Sequence, residues 1–390
     1  METVEMKNEN GLLTVYLTGS VNSGNAPEVE RTISAALEGV TKVVVDCSAL
    51  NYISSAGLRV LLRLRKQFPD LVVKEVSSEV YEIFDMTGFT EMMTVEKAYR
   101  VLDVAGCEVI GEGANGIVYR IDPETIVKVY RDADALEDIR RERELARTAF
   151  ILGVPTAIPY DVVRVGGGYG SVFELLSAKS LAAVLRESPE RIDELAAMYT
   201  DILVKLHGAD PSGREIPELR PRILKRCGRL KEALSEEDAE KLTEMIKAVP
   251  CRNLIHGDYH VKNVLLQNGE ALLIDMDTLS IGDPVFELGN MFAAYEGFNM
   301  VEPSRNDKFF GVDHELLIDF FRRSMRLYFD GKSADELGTI TEKVMIAGYY
   351  RVLTNAIAHR DREPEFKERT IRASAEKLTE LLKKQDTLIL

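Results

Sequence analysis

The sequence predicts three consecutive parts: an α/β domain, a small β-rich lobe and a mostly helical lobe. Three observations support this fold class. Strand and helix signals alternate over the first hundred residues, a glycine-rich turn joins two short strands soon afterwards, and helical spacing dominates from residue 180 onward. The predicted boundaries are 1–103, 104–177 and 178–390, and the second and third parts together form one bilobal α+β unit.

Composition and charge bound the class of protein. The chain has 390 residues, of which 29% are charged, and a formal net charge of −15. This composition is typical of a globular protein with large cores, and the absence of a strongly basic run predicts no nucleic-acid partner. The four cysteines form no C-x-x-C pair. No signal-peptide pattern or membrane-length apolar run occurs, so we expect a cytoplasmic protein without membrane attachment.

The α/β domain is predicted from six segments of alternating type. Its strand segments alternate apolar and polar residues or form short apolar runs, whereas its helix segments place apolar residues three or four positions apart. The strands are GLLTVYLTG, KVVVDCS and LVVKEV, and the helices are APEVERTISAAL, SSAGLRVLLRLRKQF and SEVYEIFDMTG. Strands separated by helices of crossover length are typical of an α/β domain.

The small lobe is predicted from three strands, a helix and a hairpin. The strands lie in EVIGEGANGIVYRIDPETIVKVYR, where a glycine-rich turn joins the first two and Asp122-Pro123-Glu124 joins the last two. The charged helix ADALEDIRRERELARTAFILG follows. The segment YDVVRVGGGYGSVFELL then predicts a hairpin that turns at Gly166 to Gly168.

Oxygen-bearing side chains follow short apolar runs in LIHGDYHVKNVLLQNGEALLIDMD, residues 254–277. A strand leads into the loop that holds Asp258, and a hairpin turning at Asn268-Gly269 follows. The hairpin brings Asn263, before its first strand, close to Asp275, at the end of its second. Hard oxygen donors in a small cluster suit Mg²⁺.

The spacing H-x-D-x-x-x-x-N followed by an acidic strand end is the layout of a phosphotransferase catalytic loop. In this layout Asp258 orients and deprotonates an attacking hydroxyl, and Asn263 and Asp275 hold Mg²⁺. Each residue alone is better explained as a loop cap, but the three together favour catalysis. We expect His256 and His260 to brace the loop by hydrogen bonds rather than to bind zinc.

A glycine-rich motif, G-x-G-x-x-G-x-V, lies between the first two strands of the small lobe. Glycines there let backbone N–H groups approach phosphates. A strand rather than a helix follows, so the motif is not a dinucleotide fingerprint, and a plain hairpin turn explains it equally well when it is taken alone. The candidate nucleotide-binding residues are Gly111, Gly113, Asn115, Gly116 and Val118.

Lys128 lies between apolar neighbours in the third strand of this lobe. A lysine in a buried run is costly unless it has an anionic partner, and the following helix offers Glu142 and Glu144. A strand lysine paired with a helix glutamate is the kinase arrangement that holds the α- and β-phosphates of ATP. For Lys128 alone, an edge-strand position remains the alternative.

Residues 107–390 resemble the aminoglycoside phosphotransferase and choline-kinase-like group, a branch of the protein-kinase-like fold. The motifs that carry the resemblance are HGDYHVKN, LIDMD and GDPVFELGNM, the last with Glu287 where Asp is usual. The resemblance implies the following roles: Asp258 as base, Asn263 and Asp275 as metal ligands, Lys128 on the ATP phosphates, and Glu144, or alternatively Glu142, as the partner of Lys128.

The segment SVFELLSAKSL is similar to the hinge of this group. The resemblance implies that the backbone of Glu174 and Leu176 hydrogen-bonds the adenine of ATP. Asp277, the second acid of the LIDMD motif, either assists the metal or caps the turn, and we favour the cap. The resemblance therefore implies an ATP- and Mg²⁺-dependent phosphotransferase whose acceptor is a hydroxyl group of a small molecule.

Residues 1–103 resemble a STAS domain, the fold of bacterial anti-sigma factor antagonists, through LTGSVNSGNAPEVE and VVVDCSALNYISSAGLRVLL. In that family a serine at a helix start is phosphorylated. Here the segment has Ser54 where Asp is usual and Ala56 where a second hydroxyl is usual. The resemblance implies Ser55 as a phosphorylation site, because a helix N-terminus holds a phosphate well. An N-cap role for Ser54 or Ser55 is the alternative that we favour.

Two function classes follow from these resemblances. The first is the small-molecule phosphotransferase, with the STAS domain as a regulatory module or as a docking module for a protein partner. The second is a signalling protein related to anti-sigma factor antagonists, whose kinase-like part binds nucleotide or phosphorylates a protein serine. The acids and aromatics of residues 295–317 predict a cationic amine on the acceptor, and a solvated acidic face explains them equally well.

Overall fold

The computed structural model describes residues 3–113, 115–176, 178–302, 305 and 307–390. The chain forms two compact units, of which the first comprises Met1–Asp103 with Val162–Gly167 and the second comprises Val104–Asp161 with Gly168–Leu390. The predicted boundaries at 103 and 177 are kept as a proposal, and Ser177 itself lies outside the described residues. Among the helices of the described residues, none is both long and apolar enough to cross a bilayer.

The first unit contains a five-stranded sheet of order β1-β2-β3-β4-β5. Strand β1 is antiparallel to β2, and the three other pairs are parallel. The strands are Val4–Glu9 (β1), Leu12–Val21 (β2), Lys42–Ile53 (β3), Val72–Val76 (β4) and Thr94–Lys97 (β5). The helices are Ala26–Ala35 (α1), Ser55–Gln67 (α2), Ser78–Met86 (α3) and Phe89–Met92 (α4). The predicted alternation of strands and helices is confirmed, and the edge strands β1 and β5 are additions to it.

Apolar alternation places one face of the central strands in the core of this unit. Val15, Val43, Val45 and Val73 are fully buried there. Helix α2 packs its leucines onto the same core. Gly57, in its first turn, lies so close to Ile53 that a Cβ atom would approach the Cγ1 of Ile53 to 2.7 Å. The start of α2 therefore fits tightly onto the end of β3.

The small lobe contains a five-stranded sheet of order β6-β7-β8-β10-β9. The strands are Glu108–Glu112 (β6), Gly116–Arg120 (β7), Thr125–Tyr130 (β8), Pro159–Val165 (β9) and Gly168–Glu174 (β10), and the helix is Leu136–Ile151 (α5). The described neighbours β6-β7, β7-β8 and β8-β10 are antiparallel. The three predicted strands, the charged helix and the hairpin that turns after Val165 are all confirmed.

The rest of the second unit is mostly helical, as the periodicity predicted. Its helices are Leu181–Glu187 (α6), Ile192–Gly208 (α7), Arg220–Cys227 (α8), Glu236–Ala248 (α9), Pro284–Tyr295 (α10), Asp307–Phe310 (α11), His314–Tyr328 (α12), Ala334–Ala358 (α13) and Pro364–Leu382 (α14). Its short strands are Lys179–Ser180 (β11), Asn253–Ile255 (β12), Val264–Gln267 (β13), Glu270–Leu273 (β14) and Ser280–Gly282 (β15). Asn268 and Gly269 both have positive φ angles of 53° and 85°, as the predicted two-residue hairpin turn requires.

Candidate active site

Asp258 lies in the loop between β12 and β13. Strand β12 is antiparallel to β15, and the side chains of Leu254 and Ile255 are fully buried, so the strand fixes where the loop begins. Gly257 has a φ of +84°, and a Cβ atom there would lie 2.8 Å from the carbonyl oxygen of Thr278. Both the left-handed backbone and the lack of space require glycine immediately before Asp258.

Glu287 anchors this loop through hydrogen bonds. Its carboxylate is fully buried and accepts hydrogen bonds from the backbone N–H of Gly257 at 3.1 Å and from that of His256. Burial raises the pKa of Glu287 to about 7, although the backbone N–H groups act in the opposite direction. This anchoring role was not predicted from the sequence. The substitution of Glu for the usual Asp in the GDPVFELGNM segment was the signal that marked the position.

His256 links the loop to the strand that carries Asp275. Its Nε2 lies 3.0 Å from the carbonyl oxygen of Ile274, and its Nδ1 accepts a hydrogen bond from the amide of Asp258 at 3.3 Å. Burial lowers the pKa of His256, so the ring is neutral at pH 7. An accepting Nδ1 requires the proton to be on Nε2, which then donates to Ile274. The prediction that His256 braces the loop is confirmed.

The carboxylate of Asp258 faces solvent with 46% of its side chain exposed. The Nε2 of His260 lies 3.5 Å from one of its oxygens, and the guanidinium of Arg351 lies 3.9 Å from the other. Burial acts to raise the pKa of Asp258, but the hydrogen bond with His260 and the charge of Arg351 outweigh burial and lower it. Asp258 is therefore ionised at neutral pH and able to accept a hydrogen bond from a hydroxyl.

Asn263 and Asp275 lie at the two ends of the β13–β14 hairpin. The side-chain amide nitrogen of Asn263 donates to the carbonyl oxygen of Asp258 at 3.0 Å, which leaves its Oδ1 as the atom able to bind a metal. The backbone N–H of Ile274 donates to the carbonyl oxygen of Asn263 at 3.0 Å, so the hairpin brings the two ends together as predicted. Asp275 has a positive φ of 68°, an unfavourable backbone that is often found at functional sites.

Lys128 on β8 is held between two carboxylates. Its Nζ lies 2.8 Å from Glu142 on α5 and 2.9 Å from Asp275. Burial acts to lower the pKa of Lys128, but the two carboxylates outweigh burial and raise it. The choice of Glu144 as the partner was wrong, because its side chain lies on the exposed side of α5 close to Arg143 and Arg147. The alternative, Glu142, is the partner.

The glycine-rich turn joins β6 to β7. Gly111 pairs with Val118, and Val118 pairs with Lys128, so the three lie in one row across the sheet. Gly116 packs against β8 so closely that a Cβ atom there would lie 2.3 Å from the carbonyl oxygen of Val129. In the turn, the amide of Gly113 donates to Gly116 and the carbonyl of Asn115 accepts from Arg131, whereas Ala114 lies outside the described residues.

The predicted hinge follows β10. The amide of Glu174 donates to the carbonyl oxygen of Ile158 at 3.2 Å, so its carbonyl is the group left for a ligand. The carbonyl of Leu176 accepts from Ala178 at 2.8 Å, and within the described residues its amide makes no hydrogen bond. One free acceptor and one free donor two residues apart match the needs of an adenine edge.

The donor set around Asp275 fits a hard cation. Asn263 supplies an amide oxygen and Asp275 carboxylate oxygens, and Asp277 adds a second carboxyl group nearby. Burial and the negative charges of Asp275 and Glu142 raise the pKa of Asp277 to about 7, so this pocket has an excess of negative charge that a divalent cation would offset. The predicted cap role of Asp277 is wrong, because its side chain makes no hydrogen bond to any described residue.

The serines of the first unit are also distinguished by the structure. Ser54 is the N-cap of α2, and its Oγ accepts a hydrogen bond from the amide of Gly57 at 3.4 Å. Ser55 is the first residue of the helix, and its side chain is exposed. The favoured prediction of a cap is therefore right for Ser54 and wrong for Ser55.

Two protein-family models match the chain. Residues 106–309 match the model described as "Phosphotransferase enzyme family", and residues 3–105 match the one described as "STAS domain". The first match covers more than half of the chain, which belongs to the phosphotransferase enzyme family. The predicted fold class, an α/β STAS domain followed by a kinase-like fold with a β-rich lobe and a helical part, is confirmed.

Individual relatives resemble one part or the other. The "Putative anti-sigma factor antagonist BtrV" of Bordetella bronchiseptica is 41% identical over 90 residues, which are 22% of this chain and 78% of BtrV. A choline/ethanolamine kinase family protein from Mesorhizobium loti is 14% identical, with a TM-score of 0.47 over 71% of this chain and 87% of that one. The GDP complex of wild-type aminoglycoside 2′-phosphotransferase-IIIa is 16% identical, with a TM-score of 0.46 over 78% and 98% of the two chains.

Proposed function

We propose that the protein transfers the γ-phosphoryl group of ATP to a hydroxyl group of a small molecule in a Mg²⁺-dependent reaction. The observation that carries the proposal is the position of Lys128, whose Nζ is 2.8 Å from Glu142 and 2.9 Å from Asp275. This places a phosphate-binding cation beside a candidate metal ligand, at the end of the hairpin that follows Asp258. A chain that had lost catalysis would have no need to keep all four groups.

Nucleotide binding is assigned to the small lobe and the hinge. The carbonyl of Glu174 and the amide of Leu176 bind the adenine, and the turn between β6 and β7 covers the phosphates. Lys128 binds the α- and β-phosphates while Glu142 keeps its ammonium group in place. Asn263 and Asp275 hold Mg²⁺, which supplies positive charge to the phosphates when it is bound.

Asp258 is the proposed base. Its carboxylate is ionised at neutral pH, so it can accept a hydrogen bond from the acceptor hydroxyl and take the proton as the bond to phosphorus forms. Because its pKa is low, its main contribution is to orient the hydroxyl towards the γ-phosphoryl group. His260, whose Nε2 lies 3.5 Å from the carboxylate, helps to keep it in position.

The test is an assay of ATP consumption by the full chain with Mg²⁺ and a panel of hydroxyl compounds that includes kanamycin and choline. A phosphorylated product found by mass spectrometry, absent with Asp258→Asn, would support the proposal. A chain that binds the nucleotide but phosphorylates nothing in a broad metabolite panel would favour a non-catalytic role.

A second candidate function is signalling through the STAS domain. The observation that favours it is the exposed Ser55 at the start of α2, in a domain of the type found in anti-sigma factor antagonists. A phosphate there would add about −1.5 to −2 charges and alter the surface that a protein partner meets. Mapping of phosphate on the protein purified from its native cell tests this candidate.

A further inference from the structure

A small cavity opens beside the proposed base. Its volume is about 220 Å³, and its side chains come from the catalytic loop, α10, α11, α13 and the turn after α10. Its lining includes three phenylalanines, Phe298, Phe309 and Phe310, and three polar residues that the argument uses, Asp258, Asn290 and Arg351. Asn290 donates to the carbonyl oxygen of Gly257 at 3.1 Å, so its amide already holds the loop.

Arg351 is the cationic group of this cavity. One third of its side chain is exposed, and its ion pair with Asp258 at 3.9 Å is the only one it makes with the described residues. That distance is longer than a hydrogen bond. Burial and the charges of Arg226 and Arg222 lower the pKa of Arg351, and Asp258 offsets this only in part. Among the described residues, the guanidinium of Arg351, which has five donors, therefore has no partner within hydrogen-bond distance.

Two further arginines, Arg222 and Arg226, lie within electrostatic range of Arg351. Arg222 and Arg226 are one turn apart on α8. Burial together with the charges of Arg226 and Arg141 lowers the pKa of Arg222, and the charge of Asp277 offsets this only in part. Neither of them forms an ion pair with a carboxylate of the described residues. The chain has 64 acidic and 49 basic residues, so acidic partners are abundant. Both arginine side chains are exposed, so solvent screens them, but they add positive charge near Arg351 that an anion bound there would offset.

We propose that Arg351, supported by Arg222 and Arg226, binds an anionic group of the acceptor, a carboxylate or a phosphate. The proposal rests on the phosphotransferase function and names the acceptor class: a small hydroxyl compound that carries a negative charge. One end of the acceptor contacts Arg351, its hydroxyl contacts Asp258, and its carbon skeleton packs on the phenylalanine wall. A guanidinium binds carboxylate and phosphate oxygens in pairs, which fixes the orientation of the hydroxyl.

For residues 295–317, a cationic amine on the acceptor and a solvated acidic face were equally favoured. Four of the five acids in this segment have other partners, and one of them, Asp307, lies 3.8 Å from His314. Glu296 faces Arg322 at 3.8 Å, and Glu302 is 3.0 Å from Arg305. Asp313 accepts hydrogen bonds from the first amides of α12. The segment instead contributes its phenylalanines to the cavity, which leaves Asp258 as the carboxylate that faces the acceptor among the described lining residues.

Matched acceptors give the first experiment. The full chain with ATP and Mg²⁺ is assayed on glucose, gluconate, glucose 6-phosphate and glucosamine, and on glycerol, glycerate, glycerol 3-phosphate and serinol. We expect phosphoryl transfer to anionic members at kcat/KM values at least ~10-fold above those of their neutral and cationic counterparts. Preferential turnover of neutral or cationic members would overturn the anionic class and leave the phosphotransferase function standing.

Binding decides the question even if no compound in the panel is turned over. Gluconate, glycerate and inorganic phosphate are titrated calorimetrically into the full chain loaded with a non-hydrolysable ATP analogue and Mg²⁺. We expect the anions to bind at least ~10-fold more tightly than glucosamine or serinol. Equal or weaker binding of the anions would overturn the inference, whereas failure of the ATP analogue to bind would instead contradict the proposed function.

Variants assign the effect to the arginine. Arg351→Gln should weaken anion binding, or raise the KM of an anionic acceptor, by at least ~10-fold while the dissociation constant of the ATP analogue stays unchanged. Arg351→Lys, which keeps the charge but not the paired donors, should lie in between. Arg191→Gln, at an exposed arginine paired with Glu194, is the matched control and should have no effect. An equal loss of nucleotide affinity in Arg351→Gln would show that the arginines serve ATP and would refute the inference.

Discussion

At the scale of single residues, the candidate site depends on the positive charge of Lys128, which an apolar side chain could not supply. Lys128 lies on a strand whose neighbour Val127 is fully buried, and it keeps its charge because Glu142 and Asp275 are both within 3 Å. Removing one carboxylate leaves a partly buried ammonium group without its full complement of partners. When ATP binds, we expect its phosphates to replace Asp275 as a partner of Lys128, whereas Glu142 remains a partner throughout.

The pair Glu142 and Glu144 offers a direct test of that arrangement. Glu142→Gln should lower kcat/KM for ATP by roughly 10- to 100-fold, because a charge-assisted hydrogen bond to Lys128 is lost. Glu144→Gln should leave kcat/KM within twofold, since its side chain is 58% exposed and does not contact Lys128. Steady-state kinetics with varied ATP measure both variants. Equal effects of the two substitutions would contradict the assignment of Glu142.

Asp258 is tested by separating chemistry from nucleotide binding. Asp258→Asn removes the proton acceptor but keeps the size of the side chain, so we expect at least ~100-fold slower phosphoryl transfer with nearly unchanged ATP affinity. Asp275→Ala should weaken both, because Asp275 is the proposed metal ligand. Single-turnover kinetics and calorimetry measure the two quantities. Turnover of any acceptor by Asp258→Asn at the wild-type rate would refute the assignment.

The sequence predicted some of the candidate site residues better than others, and the reason is geometric. Asn263 and Asp275 flank one local hairpin, and Asp258 lies in the loop just before it, so the spacing along the chain predicts that the three lie close together. The partner of Lys128 depended on the rotation of α5, and residues two apart on a helix face nearly opposite sides. Arg351 lies on a distant helix, and an arginine within the apolar run of α13 was the signal that was available.

At the scale of elements, the loop that carries Asp258 is anchored by Glu287, a carboxyl group whose burial disfavours its charged form. Burial raises the pKa of Glu287 from 4.5 to about 7. As pH rises from 4.5 to 7, the unfolded chain releases this proton and the folded chain keeps it, so the contribution of Glu287 to stability falls with rising pH and levels off above 7. At about 1.4 kcal/mol per pH unit, the change approaches roughly 3 kcal/mol.

Glu287→Gln tests this dependence because glutamine does not titrate. The unfolding free energy of the wild type minus that of the variant should decrease as pH rises from 5 to 7 and then remain constant. Urea denaturation followed by circular dichroism at pH 5, 6, 7 and 8 measures it. Glu144→Gln, an exposed position on α5, is the control and should show no such trend. A difference that does not vary with pH would argue against a raised pKa at Glu287.

At the start of helix α2, the capping residue Ser54 is followed directly by Ser55, the candidate phosphorylation site. Ser54→Ala should cost about 0.5–2 kcal/mol of stability because the hydrogen bond to the amide of Gly57 is lost. Ser55→Ala should change stability by less than about 0.5 kcal/mol, since its hydroxyl is exposed. Ser55→Asp should stabilise the helix by about 0.3–1 kcal/mol relative to Ser55→Ala, because a negative charge at the N-terminus complements the helix dipole. Thermal denaturation of the three variants measures these differences, and equal costs for Ser54→Ala and Ser55→Ala would contradict the assignment of the cap.

In the first unit, the strands with a buried face were predicted and the strands without one were missed. Strands β2, β3 and β4 carry fully buried valines, and that alternation is visible in the sequence. Strand β1 is mostly exposed and β5 has four residues, so neither gives a clear period. Strands β11 and β15 are two and three residues long and exist only through pairing with β13 and β12. Local periodicity carries no information about such pairings.

At the scale of the whole molecule, one chain combines a match to the phosphotransferase enzyme family with a match to the STAS domain, and a putative anti-sigma factor antagonist is 41% identical to it over 90 residues. This combination raises the question of whether the kinase-like site acts on its own chain. The cavity beside Asp258 measures about 220 Å³, and its phenylalanine wall and Arg351 surround a space suited to a small compound. A serine carried on a folded helix such as α2 would have to enter that space together with its backbone, which a cavity of this size opposes.

We therefore expect no self-phosphorylation. The full chain, incubated with ATP and Mg²⁺ and without an acceptor, should keep its intact mass over hours, and Ser55→Ala should turn over an acceptor at the wild-type rate. Intact-mass spectrometry followed by peptide mapping measures the first result, and the coupled assay measures the second. Asp258→Asn is the matched control, because any phosphate that it still acquires comes from a contaminating kinase. A gain of one phosphate on Ser55 that disappears with Asp258→Asn would favour the signalling function over the small-molecule phosphotransferase. Repetition at several protein concentrations would then separate transfer within one chain from transfer between chains, since only the latter accelerates with concentration.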